Sequence, residues 1–192
     1  VDWLTDLVVG QLDLRDAVLF CQDWGGLLGL RLVAENPDRF AGVVASNTML
    51  PTGDRDPGEA FRAWRDYART TEEFTVGNIV NGGSLRELSP EEIAAYDAPF
   101  PDDRFKDGAR IFPALVPATP DDPASAANRA AWETLARFDK PFVCAFGDSD
   151  PITGAAAGVL PKLIPGASDQ PHETLPQTGP FSQEDAGPRL AE

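Results

Sequence analysis

Histidine is nearly missing from this chain: there is one, His172, among 192 residues. Any reaction that needs an imidazole base therefore has a single candidate. Two cysteines, Cys21 and Cys144, each inside an apolar stretch, are too few for a disulfide framework and point to a reducing, cytoplasmic setting. One histidine and two separated cysteines leave no zinc spacing, and the acidic residues are spread along helices and loops rather than gathered into a calcium loop. No metal and no cofactor is expected. Positive charge is also scarce, with 16 Lys+Arg against 31 Asp+Glu and a net charge of −15. Such a chain repels phosphate backbones and anionic lipid, so nucleic acid and membrane surfaces are not expected partners. No apolar run approaches the ~20 residues that a membrane span needs. A G-x-S-x-G motif is absent, which argues against a serine esterase.

What is present is a 42% hydrophobic composition, enough for one sizeable core in a chain of ordinary domain length. Val1 to Val9 runs straight into amphipathic helical spacing with no cap ahead of it, so the chain reads as a fragment beginning in mid-helix. Ala17 to Cys21 is a short apolar run expected to be a strand buried on both faces. Helical spacing over Leu27 to Ala34 and a second apolar run, Gly42 to Ser46, complete a βαβ unit and hence a parallel sheet. From Thr52 to Pro123, Pro, Gly and acidic residues punctuate helical pieces such as Glu59–Thr70 and Pro90–Tyr96, with no convincing strand. Ala124 to Phe138 is expected as a helix and Pro141 to Phe146 as a third strand. A helix over Gly154 to Leu163, a weaker strand over Gln170 to Leu175 and a closing helix over Phe181 to Ala191 follow. The expected organisation is an α/β core over 1–51 and 124–192, with a helical cap over 52–123.

The chemistry concentrates in Cys21-Gln22-Asp23-Trp24-Gly25-Gly26. An acidic residue between the end of a buried strand and the start of a helix, flanked by small residues at two-residue spacing, is the nucleophile-elbow pattern with Asp in place of Ser. The turn strains the nucleophile's backbone, Gly25 is expected to let helix and strand pack closely, and the next N–H faces the reacting group. An aspartate capping a crossover helix is the structural alternative. The glycine pair and the tryptophan favour the nucleophile.

The segment from Cys21 to Asn47 resembles the elbow region of the haloalkane dehalogenases, within the α/β-hydrolase superfamily. The resemblance continues through Tyr96-Asp97-Ala98-Pro99-Phe100-Pro101, Phe146-Gly147-Asp148-Ser149-Asp150-Pro151-Ile152 and Phe181-Ser182-Gln183-Glu184-Asp185. It implies the α/β-hydrolase fold: a parallel sheet flanked by helices, with a helical cap inserted between strands and the early strands missing. It implies Asp23 as the nucleophile that displaces halide and becomes an alkyl ester, and Asp150 as the acid that orients the catalytic imidazole. Asp148 nearby is read as a turn residue. Trp24 matches a halide-binding tryptophan, whose indole N–H can only donate. Trp64 is the implied second halide contact, with Phe61 and Phe100 lining the pocket; an ordinary core role for Trp64 stays open. Trp3 and Trp132 match no functional position and are read as packing residues. The implied partners are a small halogenated alkane and the halide ion, and the full-length protein is read as a monomer.

Two departures stand out. The family's catalytic histidine lies in Gly-His-Phe, where this chain has Gly179-Pro180-Phe181. His172 matches a non-catalytic segment. Proline offers neither a side-chain proton acceptor nor a backbone donor, so halide displacement without turnover is expected. The strands that precede the elbow strand in the family are also absent, which leaves the 17–21 strand as an apolar sheet edge. Alternative readings are an epoxide hydrolase, which would use Tyr67 and Tyr96 on the epoxide oxygen, and a non-catalytic hydrolase-fold binding protein.

Overall fold

The computed structural model describes residues 1–192. After a short helix, α1 Asp2–Thr5, and a wider π-helical turn over Asp6–Gln11, four short strands pair in parallel. They are β1 Ala17–Gln22, β2 Phe40–Ser46, β3 Phe142–Gly147 and β4 Glu173–Leu175, in the spatial order β1-β2-β3-β4. Parallel neighbours require crossovers. The first is α2 Trp24–Glu35. The second, between β2 and β3, carries α3 Glu59–Thr70, α4 Val76–Gly83, α5 Pro90–Asp97, α6 Asp107–Leu115 and α7 Ser125–Leu135. α7 returns to pack on α2, whereas α3 packs on α6 and α4 on α5. The chain then forms α8 Leu160–Leu163 and, after β4, α9 Ser182–Leu190. Leu30, Val33, Val43, Leu135, Phe142 and Ile164 form the centre of the core.

Strand β1 is not buried on both faces. Val18 and Phe20 are 66% and 50% exposed, while Leu19 and Cys21, on the opposite face, meet the core beside α2. Only one face of this edge strand has a helix over it, so the two-residue alternation decides burial and the uniformly apolar composition hides it. The Gly154–Leu163 helix is likewise broken into a 3-10 turn over Gly154–Gly158 and the single turn of α8. Glycines at both ends of that turn and Pro161 at the start of α8 prevent a continuous helix. Trp3 is 72% exposed rather than packed.

Cys21, Ala45 and Cys144 lie abreast across β1, β2 and β3. Two strand spacings separate the cysteine backbones by roughly 10 Å, beyond disulfide reach. Both thiols are buried, and burial pushes each up to about 12.

The close approach expected at Gly25 falls on its neighbour. A Cβ on Gly26 would lie 1.9 Å from Thr48 Oγ1, whereas one on Gly25 would meet Cys21 at an ordinary 3.9 Å. Gly26→Ala is therefore expected to lower stability by about 1–3 kcal/mol through overpacking. Gly25→Ala is expected to change it by less than about 0.5 kcal/mol, as an open helical site does. Urea unfolding of the two variants side by side checks the assignment; equal losses would refute it.

Candidate active site

Asp23 occupies the single residue between β1 and α2, at φ 48° and ψ −123°. A non-glycine residue holds such a backbone only when its surroundings enforce it. Here the Asp23 N–H donates to the Asn47 carbonyl at 3.0 Å, and its own carbonyl accepts from the Thr48 hydroxyl at 2.6 Å and from Gly26 N–H at 3.0 Å. The end of β2 thus bolts the turn in place and points the carboxylate away from the sheet.

That carboxylate opens into a cavity of about 1180 Å³ between the sheet's C-terminal edge and the helices that follow β2. Trp24, Phe61, Trp64, Pro180 and Phe181 share its wall. Asp23 is open to this space, yet the surrounding protein strips enough hydration to raise its carboxyl above the usual range. The Trp24 backbone N–H opposes the rise, and the charge of Asp150 adds to it. The Trp24 ring rests against Phe112 of α6, with centroids 4.9 Å apart. Trp64 belongs to an aromatic cluster with Tyr67, at 6.0 Å, and Phe74, at 6.3 Å. Neither indole N–H donates to protein, in contrast to Trp132, whose N–H is committed to the Leu50 carbonyl at 2.8 Å. Two unengaged donors therefore belong to tryptophans of the same apolar cavity as the carboxylate.

Asp150 sits just outside that wall, behind Pro151, Ile152 and Thr153, and is 8% exposed. Its Oδ1 accepts from Ile152 N–H at 2.8 Å and Thr153 N–H at 3.1 Å, and its Oδ2 is paired with the Thr153 hydroxyl. Pro180 reaches the wall from the loop between β4 and α9, its carbonyl held by Gln22 Nε2 at 3.1 Å.

The sequence matches the alpha/beta hydrolase fold family across residues 1–186. The chain belongs to that family. Among its relatives, a haloalkane dehalogenase from Psychrobacter cryohalolentis is 54% identical over 191 residues, which covers 100% of this chain and 63% of that protein. A haloalkane dehalogenase from Mycolicibacterium paratuberculosis is 50% identical over 192 residues, with the same shares of 100% and 63%. The chain thus spans less than two thirds of the length of these relatives. Among solved structures, the tetrameric haloalkane dehalogenase DpaA from Paraglaciecola agarilytica NO2 superimposes with a TM-score of 0.88 at 32% identity, covering 99% of this chain and 62% of that one.

Within this α/β hydrolase, Asp23, Trp24, Trp64 and Phe61 converge on one cavity, with Asp150 directly behind its wall. Phe100 does not join them. A tight turn, with Phe100 N–H donating to the Asp97 carbonyl at 2.9 Å, ends α5 away from the cavity wall. The aromatic ring beside Trp24 is instead Phe112, on a helix the sequence did not single out. His172 is equally remote. Its Nδ1 accepts the Cys144 N–H at 3.1 Å and its Nε2 pairs with the Ala167 carbonyl at 2.9 Å, so the ring extends the edge of β3 rather than facing the cavity.

The residues that fasten the site lie outside the elbow motif. Asn47 lies fully inside, with Nδ2 donating to the Gly179 carbonyl and Oδ1 accepting Gly147 N–H, each at 2.8 Å. A polar residue directly after an apolar strand was the available signal, because such a residue buried in a core must be hydrogen-bonded. Asp185 of α9 is a second fastener, accepting the N–H groups of Leu85, Arg86 and Gly179. Arg86 also forms a bidentate pair with Glu92 of α5 and donates its Nε to the Glu184 carbonyl at 2.9 Å, tying the α4–α5 connection to α9.

Proposed function

We propose that this site performs the first half of a hydrolytic dehalogenation. The Asp23 carboxylate attacks a carbon bearing a halogen, a C–O bond forms as the C–X bond breaks, and the electron pair leaves with the halide. No proton moves in this step, so it needs no imidazole. The indole N–H groups of Trp24 and Trp64 donate to the departing halide, and the apolar wall keeps water from shielding the carboxylate. The observation that carries the reading is the aspartate on its enforced strand-to-helix turn, facing a cavity whose two tryptophan donors are uncommitted. The similarity to haloalkane dehalogenases supports it.

Hydrolysis of the resulting ester requires a base beside it. Pro180 supplies none at that wall, so the chain stalls as the ester. The epoxide-hydrolase reading loses ground because only Tyr67 of the two tyrosines lines the cavity, while the Tyr96 hydroxyl is paired with Glu184. Two buried free thiols fit a reducing cytoplasm. A monomeric whole protein belongs to the same reading, with the tetrameric DpaA as the counter-case that sedimentation would test.

Incubation with 1,2-dibromoethane is expected to release one bromide per chain and leave one bromoethyl ester, mapped to Asp23 by peptide mass spectrometry. Asp23→Asn should abolish the adduct, because a neutral amide is a far weaker nucleophile. Since the reactive form is the ionised one and its pKa is raised, the alkylation rate should climb with pH, with its midpoint above the ordinary aspartate value of 3.8. Many bromides per chain, or an unchanged adduct in Asp23→Asn, would overturn the reading.

A further inference from the structure

The charged side chains on the cavity wall are Asp23, Arg55 and Asp56. Asp56 is committed: it pairs with Arg62 and accepts Gly58 N–H at 2.9 Å. Asp54, on the other side, is bridged to Arg129 at 3.1 Å. Arg55, between them, is the wall's only cation and has no hydrogen-bond or ion-pair partner in the protein.

The loop that carries Arg55 cannot easily shift to give it one. Arg129 holds the Thr52 carbonyl at 3.1 Å and the Pro120 carbonyl at 2.9 Å. Gly53, at φ 74°, lies so close to Thr119 that a Cβ there would be 1.9 Å from its carbonyl oxygen. A fixed loop therefore places an exposed, unpaired arginine beside a mostly apolar cavity. Guanidinium is shaped for bidentate carboxylate binding. At about 1180 Å³ the cavity has room for an alkyl chain with a polar end. The chain's net charge of −15 gives anions no general attraction, so any preference for them must be local.

We propose that Arg55 makes the cavity selective for haloalkanes that bear a carboxylate, the ω-halocarboxylates, by holding the carboxylate while the halogen-bearing carbon meets Asp23. The part concerning Asp23 rests on the dehalogenation reading; the part concerning Arg55 can be tested without a halogen.

Hexanoate and 1-hexanol binding, followed by tryptophan fluorescence and calorimetry, separates the two parts. Hexanoate should bind about tenfold more tightly than hexanol, as one charge-assisted pair provides, and weaken with added salt. Arg55→Gln should erase the preference and Arg55→Lys should keep part of it. Arg137→Gln, which removes an exposed arginine away from the cavity wall, should leave it intact. In the unmodified chain, 6-bromohexanoate should then alkylate Asp23 at lower concentration than 1-bromohexane. Equal hexanoate affinity in the unmodified chain and Arg55→Gln would overturn the proposal. A hexanoate preference with no adduct from either bromide would sustain the Arg55 site and sink the dehalogenation reading.

Discussion

Pro180→His is expected to convert a single alkylation into repeated turnover, with bromide release from 1,2-dibromoethane continuing well past one equivalent. The substituted residue stands on the same cavity wall as Asp23, so an imidazole there can reach water beside the ester. Its partner is available. An ionised carboxylate offers about four lone-pair sites. Asp150 uses two on Oδ1, for Ile152 and Thr153 N–H, and one on Oδ2, for the Thr153 hydroxyl. The remaining Oδ2 site can accept an imidazole N–H and fix the tautomer that leaves the other nitrogen free as the base. A positioned base contributes about 10²–10⁴-fold. Ester hydrolysis should therefore quicken by at least about 10²-fold, and Pro180→His combined with Asp150→Asn should lose most of that gain. Bromide release that still stops at one equivalent would show that the loop does not bring residue 180 to the ester.

Asn47→Leu is expected to cost about 3 kcal/mol or more. Leucine fills a similar volume but leaves Gly147 N–H and the Gly179 carbonyl buried without partners. Each such orphan costs about 1–3 kcal/mol. For a chain of this length the melting temperature should fall by about 6–12 °C. The effect should reach the chemistry as well. Asn47 also accepts the Asp23 N–H through its backbone, at 3.0 Å, and itself adopts φ 40°, which asparagine tolerates better than leucine does. One residue thus ties the elbow after β1, the end of β3 and the loop that carries Pro180. Alkylation of Asp23 should slow even at temperatures where Asn47→Leu stays folded. A loss below about 1 kcal/mol by urea unfolding would mean that these bonds are replaced rather than orphaned.

Much of this site is legible because its signals are local. The elbow is a spacing of six consecutive residues, Cys21 to Gly26, and the structure puts Asp23 at the strained turn which that spacing requires. Trp24 follows automatically. Trp64 and Phe61 share a face of α3 because residues three apart do, and both reach the cavity. Local pattern fails where a neighbour from elsewhere decides. Gly25 and Gly26 are equivalent in sequence, and only the position of Thr48 after β2 makes the second indispensable. Phe100 sits in a recognisable segment, yet the turn that ends α5 withholds it from the wall, while Phe112 from an unremarked helix packs on Trp24. His172 already matches a non-catalytic segment in sequence, and the structure adds that both its nitrogens are engaged at the edge of β3.

By itself the amino-acid order determined the alternation of strand and helix, the acidic residue at the bend, and the absence of an imidazole at position 180. These are properties of neighbouring residues, governed by backbone sterics and by the presence or lack of a titratable atom. Only the folded chain decided which face of β1 lies bare, which glycine meets Thr48, that Asn47 joins the elbow, the end of β3 and the Pro180 loop, and that Arg55 is left without a partner. Each depends on groups far apart along the chain meeting within a few ångströms, where burial and unmatched charge acquire their energies.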